Sequence, residues 1–369
     1  MTLQPPSSTP DGREERTAVS QKLMATRAAV GEPFVSVIVG VMNESDMIEA
    51  CLESLLGLDY DGYEILIVDG GSTDGTVEKL ERIAAMNKRV RLVRKEGYLG
   101  TARNAGAAVA KGAILAFTDA DCIVTENWLR LLIGTLVNEP STTAGVGGPN
   151  VTTDRIQNVW STIIDSLLHT FLGSAGSVQV NTTKNQYVRS VPGSNSAFWA
   201  NRVRELGGFD ERLRSCEDAD LCARMLKEGL RLRFVREAIV YHHKDYHSLG
   251  NFGHHMYSYG HGRGEAISLK PSTDINLAAA TIVAFLALEV ALAIETFLGS
   301  VSAEILFILC TTGYFVVVVA TSIAISRGIT SKALAAIVGF LVLHASYATG
   351  LLAGLFSGLA KTASARWPS

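Results

Sequence analysis

The feature that most constrains the fold is a change in composition near residue 277, after which the chain is nearly all apolar. Three apolar stretches follow, at about Leu277–Leu298, Ala303–Ile325 and Leu334–Phe356. At a helical rise of about 1.5 Å per residue, each stretch is long enough to cross a hydrocarbon layer of about 30 Å. We therefore predict an all-α membrane domain with about three transmembrane helices over residues 273–369.

The loops between these stretches carry different charges. The loop at 299–302 has no Lys or Arg, whereas the loop at 326–332 contains one of each. By the positive-inside bias, the second loop and the domain that precedes the stretches are cytoplasmic. The chain is then a multi-pass protein of the cell membrane. Its tail, with Lys361 and Arg366, lies outside against that bias.

Glu289 and His344 are polar residues within the first and third apolar stretches. A charged side chain at mid-bilayer costs about 2.5–3.5 kcal/mol, so Glu289 should face a partner. Counted from the start of its stretch, each of the two residues lies at a similar depth, and we predict that they meet. The alternative is a protonated Glu289 bonded to a backbone carbonyl, a serine or a threonine.

The composition before the apolar stretches divides the chain further. Residues 1–32 are polar and contain several prolines, so we expect a flexible tail. The net charge of −3 gives no indication of a nucleic-acid partner. The five cysteines form no Cys-x-x-Cys pair, which is typical of a reducing compartment.

Residues 33–245 alternate between short β-branched runs and segments with helical spacing of apolar residues. The runs, expected to be buried strands, are Val35–Gly40, Glu64–Val68, Val90–Val93 and Ala113–Phe117. This rhythm predicts an α/β domain with a Rossmann-like, mostly parallel sheet and helices on both faces. Ligands of such sheets bind beyond the carboxyl ends of the strands.

Polar residues stand at those strand ends. Asp119 and Asp121 follow the fourth run with one residue between them, so both carboxylates fall at one edge of the sheet. Hard divalent cations prefer oxygen ligands, and Mg²⁺ or Mn²⁺ often takes one or two carboxylates together with substrate phosphates. The pattern predicts a metal site.

A glycine-rich turn at Asp69–Thr76 follows the second run and precedes a helix. Turns of this kind supply backbone N–H donors to a nucleotide. The turn has no Gly-Lys-Ser/Thr of a Walker loop and no Gly-x-Gly-x-x-Gly of a dinucleotide fold. We predict a nucleotide-binding turn of another kind.

An acidic cluster, Glu217-Asp218-Ala219-Asp220, precedes a predicted helix. Mutual repulsion of neighbouring carboxylates raises a pKa, which is a requirement for a general base at neutral pH. The alternative is that these residues only stabilise the helix N-terminus.

Two segments favour contact with a membrane. Residues 157–172 predict an amphipathic helix. It faces the protein core or, alternatively, lies on the bilayer or lines an acceptor groove. Six of the eight histidines lie between 242 and 261, but their spacing matches no zinc pattern. Because aromatic side chains with polar tips favour the headgroup layer, we predict an interfacial amphipathic segment at 246–272.

Taken together, the ordered motifs of residues 34–245 resemble the family-two nucleotide-sugar glycosyltransferases of GT-A fold. These motifs are Val35–Val39 with Asn43-Glu44, the run Val68–Thr76, Gly100–Gly106, Asp119-Ala-Asp121, Gly193–Phe198, Gly207–Glu211 and Glu217–Leu221. The stretch Tyr257–Arg263 is similar to the one that precedes the membrane helices in exopolysaccharide-type members.

The resemblance implies a donor site and a metal site. Glu44 and Asp69 would line the nucleobase and ribose pocket. Asp119 and Asp121 would bind the diphosphate and a divalent Mn²⁺ or Mg²⁺, with His242 as a third ligand or as an uninvolved strand-end residue. The complete nucleotide-sugar set would be Val41, Asn43, Glu44, Asp69, Ser72, Asp74, Arg103, Asn104, Asp119 and Asp121.

The same resemblance implies a catalytic and an acceptor site. Asp218 would be the catalytic base, with Glu217 beside it. Gly193 and Asn195 would shape the site for the transferred sugar and the acceptor. Arg263 would hold a lipid phosphate, or would simply be a positive residue flanking the membrane.

The implied function is inverting transfer of one sugar from a nucleotide-diphosphate sugar to a membrane-held acceptor. We expect polyprenyl (dolichyl) phosphate or a lipid-linked oligosaccharide as acceptor. The alternatives are assembly of an exopolysaccharide or cell-surface polysaccharide, and an inactive membrane scaffold. The chain lacks the Gln-x-x-Arg-Trp motif of processive synthases, which favours a single transfer over polymerisation.

Overall fold

A computed structural model describes residues 32–154, 158–174, 184–244, 246–269 and 277–366. The predicted tail at 1–32 therefore lies almost wholly outside the described residues. The described part consists of an α/β domain and a set of long helices that follow it.

The α/β domain is built on an eight-stranded sheet with the order β3-β2-β1-β4-β9-β6-β10-β8. Its strands are β1 Val35–Val41, β2 Tyr63–Asp69, β3 Val90–Arg94, β4 Ile114–Asp119, β6 Thr143–Gly147, β8 Gln186–Val188, β9 Asn195–Trp199 and β10 Arg231–Phe234. Only β8 and β9 run against the others, so the sheet is mostly parallel, as the strand–helix rhythm predicts. β1 and β2 are buried along their whole length, which explains their β-branched sequences.

Helices connect these strands and cover the sheet. They are α1 Ile48–Leu56, α2 Thr76–Met86, α3 Leu99–Val109, α4 Trp128–Asn138, α5 Val159–Leu168, α6 Phe171–Ser174, α7 Ala200–Glu205 and α8 Glu217–Lys227. Two apolar clusters among the described residues fill the space between the helices and the two faces of the sheet.

A second sheet joins β5 Cys122–Val124, β11 Val240–Lys244 and β7 Asn150–Asp154, with β11 in the centre. Residues 233–241 do not form one continuous strand. The chain instead makes β10 in the large sheet and then β11 in the small one, with a turn between them. This change of sheet brings residue 242 alongside β5.

The remaining helices are α9 Leu249–Leu269, α10 Leu277–Phe297, α11 Val301–Ser326 and α12 Ser331–Arg366. Within the described residues, two helical segments, Val301–Ser326 and Ser331–Thr362, are long and apolar enough to cross a membrane. The first predicted stretch does form a helix, α10, although several of its side chains lie outside the described residues.

An apolar cluster joins the α/β domain to these helices. Ile164 and Leu167 of α5 pack with Val318 of α11 and with Phe340 and Leu343 of α12. The inward face of α5 is therefore buried, as the core-facing interpretation predicts, but the core it enters is shared with the apolar helices. Phe171, just beyond α5, is 80% exposed.

Helices α9 and α12 run side by side in the same direction, with backbone close to backbone. A Cβ at Gly260 would lie 2.1 Å from the Tyr347 carbonyl oxygen, and one at Gly354 would lie 1.9 Å from the His261 carbonyl oxygen. Small residues permit this approach, as they do between membrane helices. The α9–α12 pair is the most extensive helix–helix contact among the described residues.

The far end of α12 returns to the catalytic-domain side of the molecule. Lys361 pairs with the buried Glu265 of α9, and the same carboxylate accepts the backbone N–H of Arg214 at 3.4 Å. The expected topology put Lys361 on the opposite side of the membrane from the catalytic domain, whereas these contacts place it beside Glu265, which bonds the backbone of Arg214. Which helices cross the membrane, and in which direction, stays a prediction.

The predicted meeting of Glu289 and His344 does not occur. Glu289 Oε2 accepts a hydrogen bond of 2.9 Å from the Thr311 hydroxyl. His344 Nδ1 lies 2.9 Å from the Tyr314 hydroxyl, and its Nε2 lies 3.2 Å from the Leu172 carbonyl oxygen. Because α10 packs mainly on α11, the threonine alternative for Glu289 is the correct one.

Candidate active site

The loops that follow β1 and β2 are joined by hydrogen bonds. The backbone N–H of Asn43 donates to Ser72 Oγ at 2.9 Å, and Asn43 Oδ1 accepts from Thr73 N at 2.8 Å. Asp74 accepts from Ser45 N at 3.1 Å and from Thr76 Oγ1 at 2.5 Å. The sequence predicted that Asn43, Ser72 and Asp74 contact the nucleotide, and the structure shows that they also bind the two loops to each other.

Asp69 lies at the carboxyl end of β2, beneath the glycine-rich turn. It is buried, and its carboxylate accepts the backbone N–H groups of Gly71 and Ser72 at 3.1 Å each. A cavity of about 360 Å³ opens beside it, lined by Asp69, Gly71, Ser72, Val77, Arg94, Lys95 and Glu96. Val41, at the end of β1, closes this region through its carbonyl oxygen, which accepts from Gly70 N at 2.8 Å.

Asp119 and Asp121 stand together at the carboxyl end of β4, and each side chain is 22% exposed. The change of sheet brings His242 to this point, with its Nε2 2.9 Å from Asp121 Oδ2. Burial acts to raise the pKa of Asp121, but the charge and hydrogen bond of His242, with Lys244 behind, hold it well below its usual range.

These residues suit a divalent ion. Carboxylate oxygens are ligands for Mg²⁺ and Mn²⁺, and an imidazole nitrogen favours the transition metal. Asp121 and His242 present such atoms within hydrogen-bonding distance of each other on a partly open surface. Asp119 stands beside them but has one oxygen bonded to an arginine.

Two residues of this site were missed in the sequence. Cys122 Sγ lies 3.7 Å from Asp121 Oδ1 and forms a group with Asp121 and His242. Lys244 lies near Asp119 and Asp121. Although burial opposes it, its interactions with Tyr259 and Asp121 raise the pKa of Lys244. Period-two alternation puts Lys244 on the same face of β11 as His242, a signal that sequence reading could have used.

Arg103 is the buried cation of the site. Its side chain is 2% exposed and bridges two carboxylates, donating to Asp119 Oδ1 at 3.0 Å and to Glu217 Oε1 at short range. Gly193 makes room for it, since a Cβ there would lie 2.4 Å from an Arg103 nitrogen. Burial raises the pKa of Glu217 to about 7, against the opposing charge of Arg103.

This pairing separates the roles of the two neighbouring acids at the start of α8. Glu217 is buried on Arg103, so it positions the arginine and is not open to an acceptor. Asp218 is partly exposed, and its carboxylate accepts the backbone N–H groups of Gly193 at 2.8 Å and Ala219 at 2.7 Å. Of the two predicted catalytic residues, only Asp218 presents its carboxylate at the surface of the site.

Two predicted site residues have their side chains engaged elsewhere. Asn195 is fully buried and bonds the carbonyl oxygens of Pro149 and Ala238 and the indole of Trp128, at 2.8–2.9 Å. Asn104 bonds both backbone polar groups of Phe209. Both amides hold the protein around the site in place. The predicted roles of Asn195 in shaping the sugar and acceptor site and of Asn104 in binding the nucleotide sugar stay predictions.

The other end of the site is formed by the long helices. Helix α9 packs against the residues just before α8, since a Cβ at Gly262, the neighbour of Arg263, would lie 1.6 Å from Ser215 Oγ. The Arg263 side chain interacts electrostatically with Cys216, Tyr347 and Asp218. Electrostatic interaction with Cys216, more than any other effect, raises the pKa of Arg263, and burial opposes this. The predicted base and the predicted lipid-phosphate residue are thus brought together, although 45 residues separate them in the chain. The backbone N–H of Glu44 donates to Thr76 Oγ1 at 3.0 Å, so Glu44 stands where the loops after β1 and β2 meet.

Comparisons with known proteins agree with this arrangement. Residues 36–198 match the family model described as glycosyl transferase family 2. Glycosyltransferase AglE of Haloferax volcanii is 30% identical over 220 residues, which cover 57% of this chain and 67% of that protein. Glycosyltransferase GlyG of Streptococcus pneumoniae is 36% identical over 101 residues, or 27% of this chain and 34% of that protein.

A solved structure has the same fold. It is the mannosyltransferase PcManGT from Pyrobaculum calidifontis, in complex with GDP-Man and Mn²⁺. The TM-score is 0.59 at 20% identity, and the match covers 88% of each chain. The predicted GT-A fold with C-terminal helices is confirmed. The chain belongs to glycosyl transferase family 2 and is a glycosyltransferase.

Proposed function

We propose that the protein transfers one sugar, with inversion, from a nucleotide-diphosphate sugar to polyprenyl phosphate or a lipid-linked oligosaccharide held at the membrane. The observation that carries this proposal is the packing of α9 against the residues before α8, where the apolar helices meet the α/β domain: a Cβ at Gly262, beside Arg263, would lie 1.6 Å from Ser215 Oγ. A lipid acceptor arriving along those helices would present its polar head beside a cation and a carboxylate. Arginine suits a phosphate because its planar guanidinium makes two parallel hydrogen bonds.

The donor would occupy the carboxyl ends of the strands. Its nucleoside fits the cavity beside Asp69, where the glycine-rich turn offers backbone donors. Its diphosphate would lie toward Asp119 and Asp121, because these residues and His242 could hold Mn²⁺ or Mg²⁺. When bound, the metal offsets the charge that develops on the departing diphosphate.

The chemistry is a single displacement at the anomeric carbon. The acceptor oxygen forms the new bond while the bond to the donor diphosphate breaks, and the nucleotide diphosphate departs. A hydroxyl acceptor gives its proton to Asp218, which the N–H groups of Gly193 and Ala219 hold in a fixed orientation. A lipid phosphate acceptor is already ionised, so its attacking oxygen scarcely needs Asp218 as a base.

We propose that the catalytic domain is cytoplasmic, that residues 33–245 form the catalytic unit and that 246–272 lie at the membrane interface. The exposed apolar side chains of α11 support membrane insertion, among them Ile305, Leu309 and Val316, each more than half exposed. Lys361, near the C-terminal end of α12, lies beside Glu265. In this proposal the end of α12 is therefore on the same side of the membrane as the catalytic domain.

A donor screen tests the proposed reaction. Purified full-length protein in detergent receives UDP- or GDP-sugars, with and without Mn²⁺ or Mg²⁺ and polyprenyl phosphate. We expect nucleotide diphosphate release that needs both the metal and the lipid phosphate. Release only with a soluble glycan acceptor would favour polysaccharide assembly, and release without any metal would contradict the proposed metal site.

Labelling of single cysteines in membrane vesicles tests the orientation. We expect cysteines introduced at Ser302 and at Thr362 to be labelled from opposite sides, and Thr362 to share a side with Arg236 of the catalytic domain. Labelling of Ser302 and Thr362 from the same side would contradict the proposal.

A further inference from the structure

The small sheet brings a cysteine to the metal-binding end of β4. Cys122 of β5 and His242 of β11 are direct partners in the antiparallel register. Directly opposed residues have Cβ atoms about 4.5–5.5 Å apart and project to the same face. Asp121 precedes Cys122 in the chain, so a thiol, an imidazole and a carboxylate converge.

The distances are those of a ligand set. Asp121 Oδ1 lies 3.7 Å from Cys122 Sγ, and Asp121 Oδ2 lies 2.9 Å from His242 Nε2. All three candidate ligand atoms lie within 4.8 Å of one another. In a tetrahedral zinc site with bonds of about 2.0–2.3 Å, ligand atoms are about 3.3–3.7 Å apart, so small side-chain movements suffice.

We propose that Asp121, Cys122 and His242 form a second set of metal ligands at this site. This set binds Zn²⁺ in competition with the activating Mn²⁺ or Mg²⁺. The inhibitory part of this inference rests on the proposed metal-dependent function, whereas the binding itself does not. Sulfur, nitrogen and oxygen ligands from one site suit Zn²⁺, but a thiolate is a poor ligand for Mg²⁺.

Binding of Zn²⁺ to Cys122 releases the proton of its thiol. The Cys122 side chain is fully buried, and a cysteine binds a metal ion as its thiolate. When Zn²⁺ binds, the S–H bond breaks, the S–Zn bond forms and the proton is released to solvent. The ion reaches the sulfur from the side of Asp121, whose side chain is partly open.

The physical reason for inhibition is coordination number. With three protein ligands, a tetrahedral Zn²⁺ keeps one open position. An octahedral Mg²⁺ or Mn²⁺ on one or two carboxylates keeps several positions for phosphate oxygens. A zinc-loaded site therefore binds the donor diphosphate less well, and the cysteine sets which ion the enzyme accepts.

Cobalt spectroscopy on the full-length protein tests the ligand set without donor or acceptor. Metal-free protein in detergent is titrated with Co²⁺, and we expect the near-ultraviolet charge-transfer band of a thiolate–cobalt bond. The band should disappear in Cys122→Ser. It should persist in Cys51→Ser, a matched control that removes another buried thiol near the same carboxylates.

Competition between ions supplies the second measurement. Loss of a ligand should weaken Zn²⁺ binding relative to Mn²⁺ by about 10–100-fold in Cys122→Ser, read by displacement of Zn²⁺ into a chromophoric chelator. Absence of the cobalt band in the wild-type protein would overturn the inference, even if the variant failed to fold. A band that survives Cys122→Ser would overturn it as well. Metal-independent sugar transfer would instead contradict the proposed function and leave the cobalt result standing.

Discussion

The active-site end of the α/β domain and the α9–α12 pair are held together by different interactions. In the first, charged and polar side chains make the contacts, with Arg103 between Asp119 and Glu217. In the second, glycines remove side chains altogether, and the backbones of α9 and α12 touch at Gly260 and Gly354.

The difference shows what each region must do. Charges that meet substrate have to be held in place by other charges, because a buried unpaired ion is costly. The long apolar helices have few polar groups to fix their spacing, and close backbone packing at glycines fixes it instead. The two regions meet where Gly262 of α9, beside Arg263, packs on Ser215 just before α8.

Removing a carboxylate from the metal end of the site should have the largest effect. In Asp121→Asn an amide replaces one oxygen and the negative charge is lost, so we expect transfer to fall by about 10³-fold or more. The measurement is nucleotide diphosphate release by folded protein. Asp61→Asn changes an exposed aspartate in the turn before β2 and should behave as wild type. Near-full rates of Asp121→Asn in EDTA would contradict the metal role.

Removing the proposed base should have the next largest effect. Asp218→Asn should lower turnover by about 10²–10⁴-fold while donor binding is largely retained. Glu228→Gln, an exposed carboxylate beyond the C-terminal end of α8, is the matched control. An unchanged rate with polyprenyl phosphate, together with a loss on a hydroxyl acceptor, would show that the natural acceptor is already ionised.

A methyl group in the helix pair should separate the two regions. Gly354→Ala places a Cβ against the His261 carbonyl, and overpacking of this kind costs about 1–3 kcal/mol. Gly313→Ala in α11 meets no atom within 4 Å and is the control. We expect a lower thermal midpoint in detergent and slower transfer to lipid only for Gly354→Ala, with donor binding unchanged. Equal loss of donor binding would show that the two regions are not separable.

The smallest effect is expected at Asp74, an exposed residue that joins the loops after β1 and β2 by hydrogen bonds. The hydrogen bond from Thr76 lowers the pKa of Asp74 to about 2, below its usual value. The carboxylate therefore contributes stability above the unfolded-state pKa, and this contribution is lost as the pH falls toward 2. In chemical denaturation, Asp74→Ala should be less stable than wild type at about pH 5, and the difference should shrink in acid. A constant difference would mean that the ionised form is not involved.

The parts of the fold that depend on local pattern could be predicted from the residues alone. Buried β-branched runs identified β1 to β4 within a residue or two, because a strand covered on both faces needs apolar side chains throughout. The position of Asp119 and Asp121 at one edge followed from the same pattern. Helix α12 was found from its apolar composition, but its path was not, since hydropathy carries no information about which helix it packs on.

The contacts between distant residues could not be predicted from local pattern. The Arg103–Glu217 pair, the register of Cys122 with His242 and the bond from Thr311 to Glu289 all join residues that are far apart in the chain or in different elements. Such contacts depend on strand register, on the turn that sends β11 to another sheet and on the backbone approach of α9 to α12. These follow from packing of the whole chain, which a one-dimensional pattern of polar and apolar residues does not encode.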